Sequence, residues 1–204
     1  MIIFLLTFLN FKSPLIYAGL SGIIPGTGTY LLKEKEIAKI YFLSEGFLLT
    51  SYFLSEKTIK NTVSSYKIFA KIHADANPYI KDENYWINVE NFFSYDEYLE
   101  YLRRKARILY PDDKEKQEEY VKKNKLKEKW YWEDEKKWIK FMKLRERERK
   151  IEQIQNLIFQ GIILNHAISF LQTYFVSEKK LKKLKMGFYF ENKNYFFFLT
   201  IATY

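Results

Sequence analysis

A chain of 204 residues suffices for one ordinary domain, and 48% hydrophobic content at a mean hydropathy of only −0.34 describes an apolar part joined to a densely charged one. The absence of cysteine excludes disulfides, zinc–thiolate sites and thiol catalysis. A net charge of +9 suits an anionic partner, either lipid headgroups or nucleic acid, and long apolar stretches in the same chain favour lipid.

In chain order, residues 1–32 form an N-terminal apolar segment. Met1–Leu9 reads as the h-region of a signal peptide or as an uncleaved membrane segment; it lacks a basic n-region and has a poor small-residue site around Ala18-Gly19. Residues 13–32 are interrupted by Pro14, Gly19, Gly22, Pro25, Gly26 and Gly28, which predicts a bent, re-entrant or interfacial piece rather than one straight span.

Residues 33–176 predict a helical hairpin. Its first helix opens at Lys33-Glu34-Lys35-Glu36 and runs to about Ala76, where Asn77-Pro78 stops it. Residues 37–54 are apolar around a central Glu45. Residues 55–76 are amphipathic, with Ile59, Val63, Tyr66, Phe69 or Ala70, and His73 on one side. Residues 77–132 form a small aromatic head. There 82–93 reads as a connection, Ser94-Tyr95-Asp96-Glu97 as a capping box opening a helix to about Leu109, and Pro111-Asp112-Asp113 as another helix start with proline in its first turn. Trp130-Tyr131-Trp132 closes the head.

The second long helix spans 133–176, charged first and apolar second, the mirror of the first. Its segment 157–176 holds no Asp, Glu, Lys or Arg, and at about 1.5 Å per residue it reaches about 30 Å, a bilayer's hydrocarbon thickness. An antiparallel register sets Ile59 opposite 149–153 and Ala70 opposite 139–142. It also brings Glu45 to within about one turn in depth of Asn165 and His166. Residues 177–204 read as a basic linker and a β-hairpin, 188–190 with 195–199, that needs something to pack on. The expected fold class is all-α: two long antiparallel helices, membrane-embedded at 37–54 and 157–176, with a helical aromatic head.

Three groups of residues are candidates for a site. Glu45, Asn165 and His166 are polar groups inside apolar stretches, expensive there unless paired. The simplest role is helix glue, with proton or ligand handling as the sharper alternative. Pro25-Gly26-Thr27-Gly28 reads as a tight turn at a membrane surface. Its backbone amides offer a phosphate cradle as the rival, although no Walker lysine follows. Trp86, Trp130 and Trp132 are expected to pack around the 94–109 helix. His73-Ala74-Asp75 is at most half a metal site. No catalytic set, metal site or cofactor site is read from the sequence. Trp130, Tyr131, Trp132 and Trp138 beside lysines could stack nucleic-acid bases, but Arg145-Glu146-Arg147-Glu148-Arg149 alternates in sign like a solvated stalk, which disfavours that partner.

Ser21-Gly22-Ile23-Ile24-Pro25-Gly26-Thr27-Gly28, then a charged turn and an apolar helix with a central glutamate, resembles a bacterial family of membrane-associated proteins of unknown function that share a Pro-Gly-x-Gly turn. The resemblance continues through Ala70-Lys71-Ile72-His73-Ala74, Tyr85-Trp86, Tyr95-Asp96-Glu97-Tyr98, Arg104 to Pro111, Trp130-Tyr131-Trp132 and Leu144-Arg145, ending at Ile163 to Ser169. It covers roughly residues 13–175. The family has Glu or Gln where this chain has Thr29, and a clearer signal peptide. The resemblance implies an integral membrane location in a bacterial cell envelope and brings no established activity.

The expected function is a membrane-anchored envelope interaction or scaffold protein, not an enzyme. Its partners would be the lipid bilayer and a protein docking on the aromatic head or C-terminal hairpin. The alternatives are a membrane transporter or enzyme component using Glu45 and His166, and a basic nucleic-acid-binding helical protein.

Overall fold

A computed structural model describes residues 13–185, with side chains to 181. The signal-like stretch 1–12 and the expected C-terminal β-hairpin lie outside the described residues. The fold is all-α, with seven helices among the described residues: α1 Pro14–Ile23, α2 Thr27–Leu31, α3 Lys35–Ala74, α4 Glu83–Asn91, α5 Tyr95–Leu109, α6 Lys114–Asn124 and α7 Glu135–Lys185. The chain divides into two compact units, Met1–Phe53 with Asn156–Tyr204, and Leu54–Gln155. Each long helix contributes one half to each unit.

The apolar unit contains α1, α2, the first half of α3 and the second half of α7. Pro14 starts α1, its fixed φ suiting the first turn. Gly26, at φ 90, lets the chain re-enter a helix at Thr27. The α2 end closes with two back-bonds, Lys33 N–H to the Tyr30 carbonyl at 2.9 Å and Glu34 N–H to the Thr29 carbonyl at 3.0 Å. Lys33 itself sits left-handed at φ 65. The proline- and glycine-rich segment is thus a pair of short helices around a turn. Within this unit α3 and α7 run antiparallel: Tyr41 meets Gln172, Ser44 meets Asn165, Glu45 meets His166, and Tyr52 meets Phe159. Helix α7 does not stop at Val176. It continues to Lys185, so the lysines read as a linker are helical, because 177–185 contains neither proline nor glycine.

The head unit has a conventional apolar interior. Tyr66, Ala70 and Ala74 of α3, Tyr85, Trp86 and Val89 of α4, Tyr95, Tyr98 and Leu102 of α5, and Phe141 of α7 form it together with Trp130 and Trp132. Tyr66 meets Arg145, Phe69 meets Lys140 and His73 meets Glu133, so α3 and α7 are antiparallel here also. The stretch 82–93, expected as a connection, contains the helix α4, Glu83–Asn91, which Asp82 caps by accepting from the Asn84 amide at 3.0 Å. The capping box at Ser94 forms, with Glu97 reaching the Phe93 amide at 2.9 Å. Pro111 lies ahead of α6, whose cap is Asp113, accepting from Lys116 N–H at 2.9 Å.

An extended strip, residues 130–133, holds the head together. The Tyr131 and Glu133 amides donate to the Ala74 and His73 carbonyls at the end of α3. On its other edge the Trp130 carbonyl accepts from Tyr95 N–H, and Trp132 N–H donates to the Phe93 carbonyl, all at 2.9–3.1 Å. Alternation along the strip sends Trp130 and Trp132 into the core and leaves Tyr131 outside. The indoles then satisfy the carbonyl end of α4: Trp132 donates to Val89 at 3.1 Å, Trp138 to Glu90 at 2.8 Å and Trp130 to the cap residue Phe92 at 3.0 Å. The expected packing around the 94–109 helix holds for Trp130, which meets Tyr95 and Tyr98. Trp86 and Trp132 instead pack on Tyr66, Phe69 and Phe141, because the strip and α4 lie against the long helices.

Trp132→Ala would remove a fully buried ring and strand the Val89 carbonyl. Denaturation of the full chain, followed by circular dichroism, should show a loss of roughly 3–5 kcal/mol. Tyr131→Ala, at an exposed position of the same strip, should stay within about 0.5 kcal/mol of the parent.

Candidate functional site

The Pro-Gly-Thr-Gly turn is not at a surface. Pro25, Gly26, Gly28 and Thr29 are buried against α7. Gly26 N–H donates to the Ser169 hydroxyl at 2.8 Å, and Gly28 N–H to Ser21 at 2.9 Å. Thr173 donates to Ser21 at 2.8 Å and lies 3.3 Å from the Thr29 hydroxyl. Ser169, Thr173 and Ser177 recur every four residues, a small-residue face on α7 that lets α1 and α2 come close. A Cβ at Gly28 would stand 1.9 Å from the Tyr17 carbonyl oxygen, so only glycine fits there. With both glycine amides engaged by hydroxyls, the turn has no donors left to cradle a phosphate. The turn is an internal plug packed against α7.

Beside the plug lies the Glu45 cluster. Asn165 donates from Nδ2 to Glu45 Oε2 at 2.9 Å, and its Oδ1 lies 3.0 Å from the Ser44 hydroxyl, which is also 3.0 Å from the Tyr41 carbonyl. His166 Nε2 is 3.2 Å from Glu45 Oε1, and its Nδ1 is 2.8 Å from the Gly22 carbonyl at the end of α1. A carbonyl only accepts, so Nδ1 carries a hydrogen. A hydrogen bond between Nε2 and Oε1 then requires one proton, supplied either by a carboxylic acid donating to neutral imidazole or by imidazolium donating to carboxylate. Both arrangements are net neutral. The pair can hold one proton and pass it between its members without changing charge, chemistry suited equally to glue and to proton handling.

The head contains a cluster that sequence reasoning missed. Arg145, expected on a solvated stalk, has a side chain only 1% exposed. Its Nη1 donates to Glu148 at 3.0 Å and to the Tyr66 hydroxyl at 3.2 Å, its Nε to Glu90 at 3.3 Å, and its Nη2 to Glu83. The guanidinium also lies over the Tyr66 ring. Arg149 clamps Glu90 through two bonds of 2.8 Å. Burial alone would lower the Arg145 pKa, but the Glu83 hydrogen bond and the surrounding charges raise it. Burial raises Glu148, against the pull of Arg145, and burial pushes Tyr66 up to about 12. The available signal was that Trp138, Phe141, Arg145 and Glu148 fall on one helical face, continuing an apolar stripe.

His73 pairs with Glu133 at 2.9 Å and stacks on Phe69. Among the described residues no group of three or more His, Asp or Glu side chains is placed to hold a metal ion. Helices α5 and α6 border a cleft of about 580 Å³. Its walls carry Arg103, Arg107, Lys114, Lys122 and Lys125 against one carboxylate, Glu118, with Ala106 and Val121 as apolar floor.

Comparison with protein-family models, curated proteins and solved structures finds no match to this chain. Its class therefore rests on its own fold: an all-α protein with two helices long and apolar enough, by length and composition, to cross a membrane.

Leucine at Glu45 or His166 strands the other partner, at roughly 1–3 kcal/mol for each single variant. In a double-mutant cycle, Glu45→Leu with His166→Leu should cost less than the sum of the two; simple additivity would mean the pair does not interact. Arg145→Ala should cost roughly 3–5 kcal/mol by leaving the buried Glu148 carboxylate and the Tyr66 hydroxyl without their partner, while Glu90 keeps Arg149. Tyr66 and Tyr85 ordinarily titrate at 10.0, and burial holds each near 12 in the folded chain. Their contribution to stability is complete below pH 10 and lost as pH rises through about 12. The denaturation midpoint of the parent should fall across that window, and less steeply in Tyr66→Phe.

Proposed function

We propose that this chain is an integral membrane protein whose apolar unit is immersed in lipid and whose aromatic head is a docking platform for an acidic protein partner. The observation that carries the reading is the distribution of side chains in the apolar unit. Leu43 and Phe47 of α3 are 74% and 73% exposed, and Leu157, Leu164 and Phe175 of α7 are also exposed. Ser21, Thr29, Ser169, Thr173 and Ser177 are fully buried. The apolar windows of the two long helices have only 11% and 6% of their residues buried. A core helix of a water-soluble protein would bury its leucines and expose its serines. This arrangement suits a solvent of hydrocarbon, in which polar groups must be satisfied internally.

The α5–α6 cleft supports the docking role: five cations line it with Glu118 over an apolar floor, and although Glu100 pairs with Arg103 and Arg107, the remaining excess of positive charge fits an acidic segment with an apolar anchor. Placement in a bacterial cell envelope is supported by the resemblance alone. A second reading, a transporter or enzyme component that moves a proton through Glu45 and His166, is favoured by the single shared proton of that pair. The reading as a nucleic-acid binder has the basic cleft in its favour, but no indole is free to stack, since all four donate to backbone and Trp86, Trp130 and Trp132 are buried.

Expressed full-length, the chain should stay in the membrane pellet through alkaline carbonate and leave it only with detergent. Release by carbonate would reject the membrane reading. Arg103→Glu with Arg107→Glu should abolish retention of an acidic peptide by the detergent-solubilised chain. If Glu45→Gln keeps the fold but abolishes a cellular phenotype that the cleft variant preserves, the proton-handling reading replaces docking.

A further inference from the structure

The α2–α3 turn and the end of α7 are far apart in sequence but joined in the apolar unit. Lys180 Nζ donates to the Leu32 carbonyl at 2.6 Å and pairs with Glu34 at 2.7 Å. That clasp sets the α7 lysines beside the turn, whose apex is the left-handed Lys33. The carboxylates here are engaged: Glu34 by Lys180 and Glu36 by Lys39 at 2.7 Å, while Glu178 also has a partner. Lys33, Lys35 and Lys179 are exposed, and no ion pair among the described residues holds them. Helix α7 then runs on through Lys182, Lys183 and Lys185.

We propose that this lysine end of the apolar unit is a docking surface for the headgroups of anionic lipids, and so faces the leaflet that carries them. The inference rests on the membrane reading above. Two features favour a lipid surface. The cations flank the ends of the apolar stretches 37–54 and 157–176, where a membrane-spanning unit meets the headgroups, and they come from two chain segments rather than lining a cavity. Lysines clustered immediately beside a membrane segment are drawn to anionic leaflets and set orientation, whereas a long segment such as 54–155 crosses largely regardless of its charge.

The full chain is reconstituted in vesicles of phosphatidylcholine containing phosphatidylglycerol, re-extracted in detergent, and its retained lipid assayed by class. The parent should retain phosphatidylglycerol several-fold above its share of the vesicle. Lys33→Gln/Lys35→Gln/Lys179→Gln, which leaves the Lys180 clasp intact, should retain lipid at the vesicle ratio. Lys71→Gln/Lys136→Gln/Lys143→Gln, of equal charge change at exposed head positions outside the α5–α6 cleft, should behave as the parent. No enrichment in an inserted parent, or enrichment unaffected by the first variant, overturns this inference and leaves the membrane reading standing. Equal loss in both variants overturns it too, as non-specific charge attraction. A parent that fails to insert in the vesicle overturns the membrane reading itself.

Discussion

The bond from the Gly26 amide to the Ser169 hydroxyl is the contact on which the apolar unit depends. A chain that turns back on itself within an apolar environment frees backbone donors that no water can reach, and each costs several kcal/mol if left unpaired. Ser21, Thr29, Ser169 and Thr173 supply the missing partners from side chains small enough not to hold the helices apart. Because these hydroxyls are internal, the large apolar side chains of α3 and α7 are left to face outward. The outward apolar surface and the inward polar seam are two consequences of one requirement.

The Glu45 cluster extends that seam. The carbonyl of Gly22, near the end of α1, needs a donor as much as the turn amides need acceptors, and His166 supplies it. Once Nδ1 is committed to the carbonyl, Nε2 is the nitrogen left to face Glu45. A structural need at one nitrogen thereby sets the protonation chemistry at the other, and Asn165, beside Ser44, steadies the carboxylate from its second oxygen.

In the head the same accounting is met by different chemistry. The exposed carbonyl end of the short α4 is satisfied by indole donors from Trp130, Trp132 and Trp138, so the aromatic residues are both the apolar filling and the helix cap. Arg145 joins α3, α4 and α7 through Tyr66, Glu83, Glu90 and Glu148. A buried guanidinium is tolerable there because its donors are met by three carboxylates and a phenol. Such an arrangement specifies which face of each helix points inward more narrowly than apolar contacts alone.

Much of this was legible in the sequence, because it depends on periodicity and local stop signals. The two long helices, their apolar halves, the Ser94 cap and the depth match between Glu45 and His166 follow from residue spacing at 1.5 Å per residue. What the sequence could not decide was the partner of each polar group. Whether Arg145 stands in solvent or in a core depends on Glu83 and Glu90, which reach it only because Glu83–Asn91 is a helix. Whether the Gly26 amide is free depends on the Ser169 hydroxyl, 143 positions away. The lysines at 33–35 and 179–180 become one surface only through the Lys180 clasp. Helix formation is a matter of neighbours along the chain, whereas satisfaction of a buried polar group is a matter of neighbours in space, and only the tertiary structure supplies those.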